Sequence, residues 1–158
     1  MTPRDSQRAK VYAAEEFVRT LFDRAAEHGN RVVEFFGTQL TLPPEGRFSS
    51  AASVQRYVDD VLAHVGRDRR LTVRARRGAT AAHYERHDDV AVIAVPDRRT
   101  SWALRELVVL HEIAHHLNDA EPAHGPEFVA TFCELADVVM GPEVGHVLRV
   151  VYAKQGAR

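Results

Sequence analysis

The chain has 158 residues, 45% of them hydrophobic, and a formal net charge of -1 at pH 7. This length and apolar content predict a single domain spanning residues 1–158, and the balanced charge gives no global field that would favour nucleic acid or a membrane. The N-terminus has no apolar run behind it, the longest apolar run is only Val90–Val95, and Cys133 is the single cysteine. We therefore expect no signal peptide, no membrane span, no disulfides and a reducing, cytoplasmic location.

Helical and extended patterns alternate through the first half of the chain. Apolar residues spaced along one helical face predict a helix over about 5–28, and an extended segment follows over 31–42, ended by Pro43-Pro44. Ser49 or Ser50 can cap a second helix, which ends at Gly66. The inward face of that helix holds Val54, Val58, Val61, Leu62 and Val65.

The second half begins with strands and ends with helices. Strands are predicted over about 71–76, 80–86 and 90–95, with a turn at 87–89. Thr100 or Ser101 can cap an apolar helix that continues to about Leu117, and a further helix starts at Pro126. A last helix follows Gly141-Pro142 and ends near Gly156. The order predicts an α+β fold with a small antiparallel or mixed sheet packed on helices.

A possible metal-binding motif, His111-Glu112-Ile113-Ala114-His115, lies inside the helix predicted to end at Leu117. Residues four apart lie one turn apart on the same face, so His111 and His115 can reach one ion. Glu112 is displaced around the helix and can act as a general base without being a ligand. The spacing HExxH thus predicts a Zn²⁺ site in which Glu112 takes the proton from the attacking water.

A catalytic zinc usually has three protein ligands, so the motif needs a third. His124 is our first choice for the third ligand. The predicted helix ends at Leu117, and the loop after it lets the chain fold back towards the helix. Glu121 is a rival, since it stands where HExxHxxGxxH enzymes keep their third histidine, although Asn118 replaces the glycine of that pattern. Glu134 is a second rival, as a carboxylate on the following helix. We expect both carboxylates to be solvated.

The segments HEIAHHL and HGPEF together resemble the SprT-like branch of the zincin metallopeptidases, and still more a bacterial family of HExxH metallohydrolases of similar length. The resemblance covers about Thr80 to Phe132. It implies a zincin-like fold, zinc at the three histidines with Glu112 as base, and a strand (Val90–Val95) beside the active-site helix that offers backbone groups to an extended peptide. Cys133 alone cannot form the zinc ribbon that SprT-like proteins often carry, so a DNA-linked role is not implied here.

Several further residues are candidates for supporting roles. His116 points about 100° away from His115 and is expected to be a surface or supporting residue. Partners for the second nitrogen of a zinc-bound histidine could be Asp119, Glu134 or Asp137. Candidates for stabilising an oxyanion are Tyr84, His146, Arg149 and Tyr152.

The sequence therefore predicts a zinc-dependent hydrolase. A metallopeptidase that acts on protein or peptide is the favoured interpretation. The alternatives are a non-catalytic regulatory protein on a zincin scaffold, or a DNA-associated protein that uses the arginines between Arg67 and Arg105. Arginines on alternating strand positions more often form a solvated face, so nucleic acid is the less favoured partner. The substrate and the oligomeric state do not follow from the sequence.

Overall fold

The computed structural model describes residues 3–67, 69–78, 80–97 and 104–158. Over these residues the elements are α1 (Arg8–Glu27), β1 (Val32–Phe35), β2 (Thr38–Thr41), α2 (Ala51–His64), β3 (Thr72–Arg76), β4 (His83–His87), β5 (Val90–Pro96), α3 (Glu106–Leu117), α4 (Pro126–Val139) and α5 (Pro142–Gln155). The predicted α+β class is confirmed. Within the described ranges, none of the helices combines the length and the apolar character that crossing a membrane would require.

The chain divides into two compact units, which we call the terminal unit (residues up to Pro44 together with Asn118–Arg158) and the central unit (Glu45–Leu117). The single domain expected from length stays a prediction. The terminal unit contains α1, α4, α5 and a hairpin of β1 and β2, with α5 packed against both other helices. Its core is formed by fully buried side chains such as Val11, Phe128 and Leu148. Burying each of these stabilises the fold by about 1.5–3 kcal/mol.

The segment over 31–42 is a hairpin, whereas the sequence indicated one extended stretch. Val32 pairs with Thr41 and Phe35 with Thr38, so Phe36 and Gly37 form a two-residue turn. Both turn residues have positive φ, 45° and 83°, as the twist of a tight hairpin requires. Phenylalanine rarely adopts this conformation, so the usual turn signal was absent from the sequence.

In the central unit, β5 lies between β3 and β4 in a mixed sheet. It runs parallel to β3 and antiparallel to β4. The mixed sheet agrees with the prediction. The expectation that Val90–Val95 offers backbone groups to a peptide is wrong, because β5 is hydrogen-bonded on both sides.

The two helices of the central unit begin differently from each other. Ser50 caps α2, accepting a hydrogen bond from the backbone N–H of Ser53 at 3.1 Å, as one of the two predicted caps. Helix α3 begins at Glu106, later than expected, because Arg105 pairs in an extended bridge with Arg47. The predicted caps of α3, Thr100 and Ser101, lie outside the described residues.

Candidate metal centre

The HExxH residues lie in the last two turns of α3. His111 and Glu112 are buried, and His115 is half-buried. The Nε2 atoms of His111 and His115 are 3.1 Å apart. Two nitrogens bound to one tetrahedral zinc at about 2.05 Å lie about 3.3 Å from each other. This pair therefore needs little movement to share an ion.

Buried charges anchor the N-terminal end of α3. Glu45 accepts hydrogen bonds from Nε of Arg105 at 2.9 Å and from the backbone N–H of Leu107 at 3.0 Å. Glu106 accepts a hydrogen bond from the hydroxyl of Tyr57. Burial, reinforced by this carboxylate, raises the pKa of Tyr57 well above its usual range, so the phenol stays a donor. These bonds fix the start of the helix that carries the two histidines.

His124 lies in the loop directly before α4 and is held by the N-terminal segment. Its Nδ1 is 2.7 Å from Oδ2 of Asp5, and its backbone N–H donates to Oδ1 of Asp5 at 3.0 Å. Gln7 donates to its carbonyl oxygen at 2.8 Å. The other ring nitrogen, Nε2, is buried and makes no hydrogen bond to the residues described. Because Nδ1 is engaged by Asp5, Nε2 is the atom of this ring that could bind a metal.

The glycine after His124 is required by close packing. A Cβ at Gly125 would lie 3.1 Å from both the carbonyl oxygen and Cδ of Pro122. The backbone N–H of Gly125 also donates to that carbonyl at 3.0 Å. Pro126 then starts α4 at a position where the missing N–H costs nothing. The His-Gly-Pro sequence thus sets where the histidine stands relative to α4.

The three predicted ligands lie in different units: His111 and His115 are on α3 of the central unit, and His124 precedes α4 in the terminal unit. Imidazoles are donors that suit a catalytic zinc ion, and also copper, nickel or iron. The pair on α3 is close enough to share a metal ion, whose identity the geometry leaves open.

The two rival ligands, Glu121 and Glu134, are both exposed. Glu112 follows His111 on α3 and is only 8% exposed. A carboxylate beside the ligands rather than among them is the position that a general base needs.

His116 is buried, at 1% exposure, so of the two expected positions, surface or supporting, the structure shows the supporting one. Its Nδ1 lies 3.1 Å from the hydroxyl of Tyr84, and its Nε2 lies 3.0 Å from the carbonyl oxygen of Arg69. The ring of Tyr84 also stacks along that of His115, with 6.3 Å between ring centroids. His116 therefore supports α3 against β4.

Of the predicted supporting residues, several have other roles. Asp137 pairs with Arg149, with N–O distances of 3.0 and 2.6 Å. Tyr152 is buried and donates to Glu15 at 2.6 Å. Asp5, which no sequence pattern indicated, contacts His124, one of the three predicted ligands. The two residues are 119 positions apart, and nothing in the local pattern around Asp5 links it to His124.

Comparison of the chain with family models, with curated proteins and with solved structures finds no match.

Proposed function

We propose that this protein is a zinc-dependent hydrolase, and that its reaction is the cleavage of peptide bonds. The observation that carries the proposal is the pair of histidines on α3, His111 and His115, whose Nε2 atoms are 3.1 Å apart. A buried carboxylate, Glu112, lies next to one of these residues in the chain. With His124 as the proposed third ligand, this is the residue set of a zincin-type centre.

A zinc ion held by His111, His115 and His124 would supply a Lewis acid and lower the pKa of a water molecule to about 7. The carboxylate of Glu112 would accept a proton from the attacking water and return it to the leaving amine. Burial of Glu112 places this proton transfer away from bulk solvent. Tyr84, whose ring stacks along that of His115, is an oxyanion candidate that contacts the motif helix.

We propose β4 as the strand with which an extended peptide pairs. It lies at the edge of the sheet, whereas β5 is paired on both sides. Among the strands of the described residues, β4 pairs only with β5. Its residues also contact α3, since Arg86 donates to the backbone carbonyl of His116 at 3.3 Å. Main-chain pairing along such an edge provides affinity without demanding one sequence. The reducing, cytoplasmic compartment expected from the single cysteine suits this proposal.

The experiment that tests the catalytic role compares Glu112→Gln with the wild type and with Glu121→Gln, a change at an exposed carboxylate. Turnover is measured on a library of fluorescence-quenched peptides with zinc supplied at one equivalent. We expect Glu112→Gln to keep its zinc and to lose activity by at least about 100-fold, because general-base catalysis contributes about 10²–10⁴-fold. Glu121→Gln should keep wild-type activity. Full turnover by Glu112→Gln would refute the mechanism.

The alternative functions have less support. A non-catalytic zinc site would have a fourth protein ligand, and the sequence indicates three. The positive charge of the β3 arginines is partly balanced, because Arg74 and Arg76 lie 3.6 and 3.7 Å from the carboxylate of Glu85. A DNA-binding role would require binding that weakens steeply with salt, and absence of any binding at low salt would remove it.

A further inference from the structure

The carboxylate of Asp5 contacts two nitrogens of His124, the backbone N and the ring Nδ1. These two nitrogens differ in whether they can accept a hydrogen bond. Oδ1 of Asp5 accepts from the backbone N–H of His124, which can only donate. Oδ2 lies 2.7 Å from Nδ1 of the ring, which can either donate or accept. An ionised carboxylate accepts hydrogen bonds and donates none, so the ring nitrogen facing it must carry the proton.

We propose that Asp5 is the positioning residue of the metal centre, and that it works by fixing the tautomer of His124. With the proton on Nδ1, the lone pair is on Nε2, the nitrogen that would bind the metal. The inference rests on the proposed function in so far as His124 is a zinc ligand. Carboxylates that orient a ligating histidine in this way usually contribute about 10–100-fold to metal affinity.

The residues around this contact indicate that Asp5 controls the ring of His124 and does not merely hold the loop in place. Asp5 is partly exposed, at 27% of its side chain, while the His124 side chain is 7% exposed. The loop is already held by a separate bond, since Gln7 donates to the carbonyl oxygen of His124. Gln7 also bonds to both the backbone N–H and the carbonyl of Arg158. Asp5 thus adds control of the ring to a loop that is fixed by other means.

Asparagine at position 5 gives a test that separates tautomer control from mere loop support. Its amide oxygen must face the backbone N–H, because an amide NH₂ there would oppose donor to donor. Its NH₂ group then faces Nδ1 and donates to it, which moves the ring proton to Nε2 and blocks the metal-binding atom. Alanine removes both bonds but imposes neither tautomer. The isosteric asparagine should therefore damage the site more than alanine does.

Zinc dissociation constants are to be measured by competition with a chromophoric chelator for wild type, Asp5→Asn, Asp5→Ala and Asp60→Asn. Asp60 is an exposed aspartate on α2 and serves as the matched control. We expect zinc affinity to fall about 10-fold in Asp5→Ala and about 100-fold in Asp5→Asn. Asp60→Asn should bind zinc as the wild type does. An asparagine variant that binds as tightly as the alanine variant, or more tightly, would overturn the inference.

A second readout uses metal-free protein and does not depend on affinity. The ¹⁵N shifts of the His124 ring, assigned with His124→Gln, should show the proton on Nδ1 in the wild type and on Nε2 in Asp5→Asn. A wild-type ring protonated on Nε2 would contradict the inference even if zinc binds. If the wild type binds no zinc at all, the proposed function fails, whereas normal zinc binding by Asp5→Asn removes only the role of Asp5.

Discussion

At the scale of single residues, Cys133 shows how burial controls a chemically reactive group. The thiol is 2% exposed. Burial, with a smaller contribution from neighbouring carboxylates, raises the pKa of Cys133 to about 12. The thiolate is the reactive form, so this residue is an inert part of the α4 core and not a nucleophile or ligand.

We expect native protein to resist alkylation of Cys133 by iodoacetamide at pH 8, and protein in urea to be modified quickly. Because the folded pKa is raised, the stability that the neutral thiol contributes is fully present below the unfolded value near 8.5–9. It is lost as the pH rises from there towards about 12. Mass spectrometry after timed quenching gives the rate, and rapid labelling of native protein would show that the thiol is accessible.

The buried pair of Tyr152 and Glu15 links α5 to α1. Burial, then the neighbouring Glu15, raises the pKa of Tyr152 well above its usual range, so it remains a donor. Tyr152→Phe should cost about 1.5–3 kcal/mol of unfolding free energy, because it removes a hydrogen bond to a buried carboxylate. Urea denaturation measures this, with Tyr12→Phe as the control at a 42% exposed tyrosine. If Tyr152→Phe lost no more unfolding free energy than Tyr12→Phe, the hydrogen bond from Tyr152 to Glu15 would not have the stabilising role assigned to it.

At the scale of elements, the start of α3 depends on Glu45 and Arg105. Both side chains are nearly fully buried, at 4% and 3% exposure. Glu45→Ala should destabilise the protein by about 3–5 kcal/mol, since it leaves the guanidinium buried without its carboxylate. Arg47→Ala is the control, because Arg47 is 41% exposed and 3.9 Å from the same carboxylate, and it should cost less than about 1 kcal/mol. Similar midpoints for the two variants in urea would show that the buried pair is not the anchor.

The elements differ in how far the sequence could predict them. The helices α1, α2, α4 and α5 follow from apolar spacing, capping serine, proline and glycine, which are local signals. The hairpin at Phe36-Gly37 was missed because long-range contacts favour it: Phe17 stacks on Phe36 and Lys154 lies 4.1 Å above the same ring. The start of α3 was misplaced for a related reason, since a bridge to Arg47 cannot be read from neighbouring residues.

The candidate site was predictable where its residues are close in sequence. The pair His111 and His115 follows from helical spacing, and the structure has their Nε2 atoms 3.1 Å apart. The contact with Asp5 was not predictable, because it joins residues 119 positions apart and depends on how the terminal unit folds. The burial of His116 was missed for the same reason, since its partners are on β4 and in the segment before β3.

At the scale of the whole molecule, a bound metal should add to stability. A ligand that binds only the folded state stabilises it by about 2.7 kcal/mol at a concentration 100 times its dissociation constant. We expect zinc to raise the midpoint of thermal unfolding in the wild type and in Glu112→Gln, but not in His124→Ala. Differential scanning calorimetry with and without zinc checks this. An equal zinc-induced shift in His124→Ala would place the ion elsewhere.

The most direct test of the account is the metal content of protein purified without chelator or histidine tag, measured by inductively coupled plasma mass spectrometry. We predict one zinc per chain in the wild type and in Glu121→Gln, and a loss of that zinc in His111→Ala, His115→Ala and His124→Ala. A wild-type chain that carries no transition metal and takes up none when zinc is added would contradict the proposed centre and the hydrolase function with it.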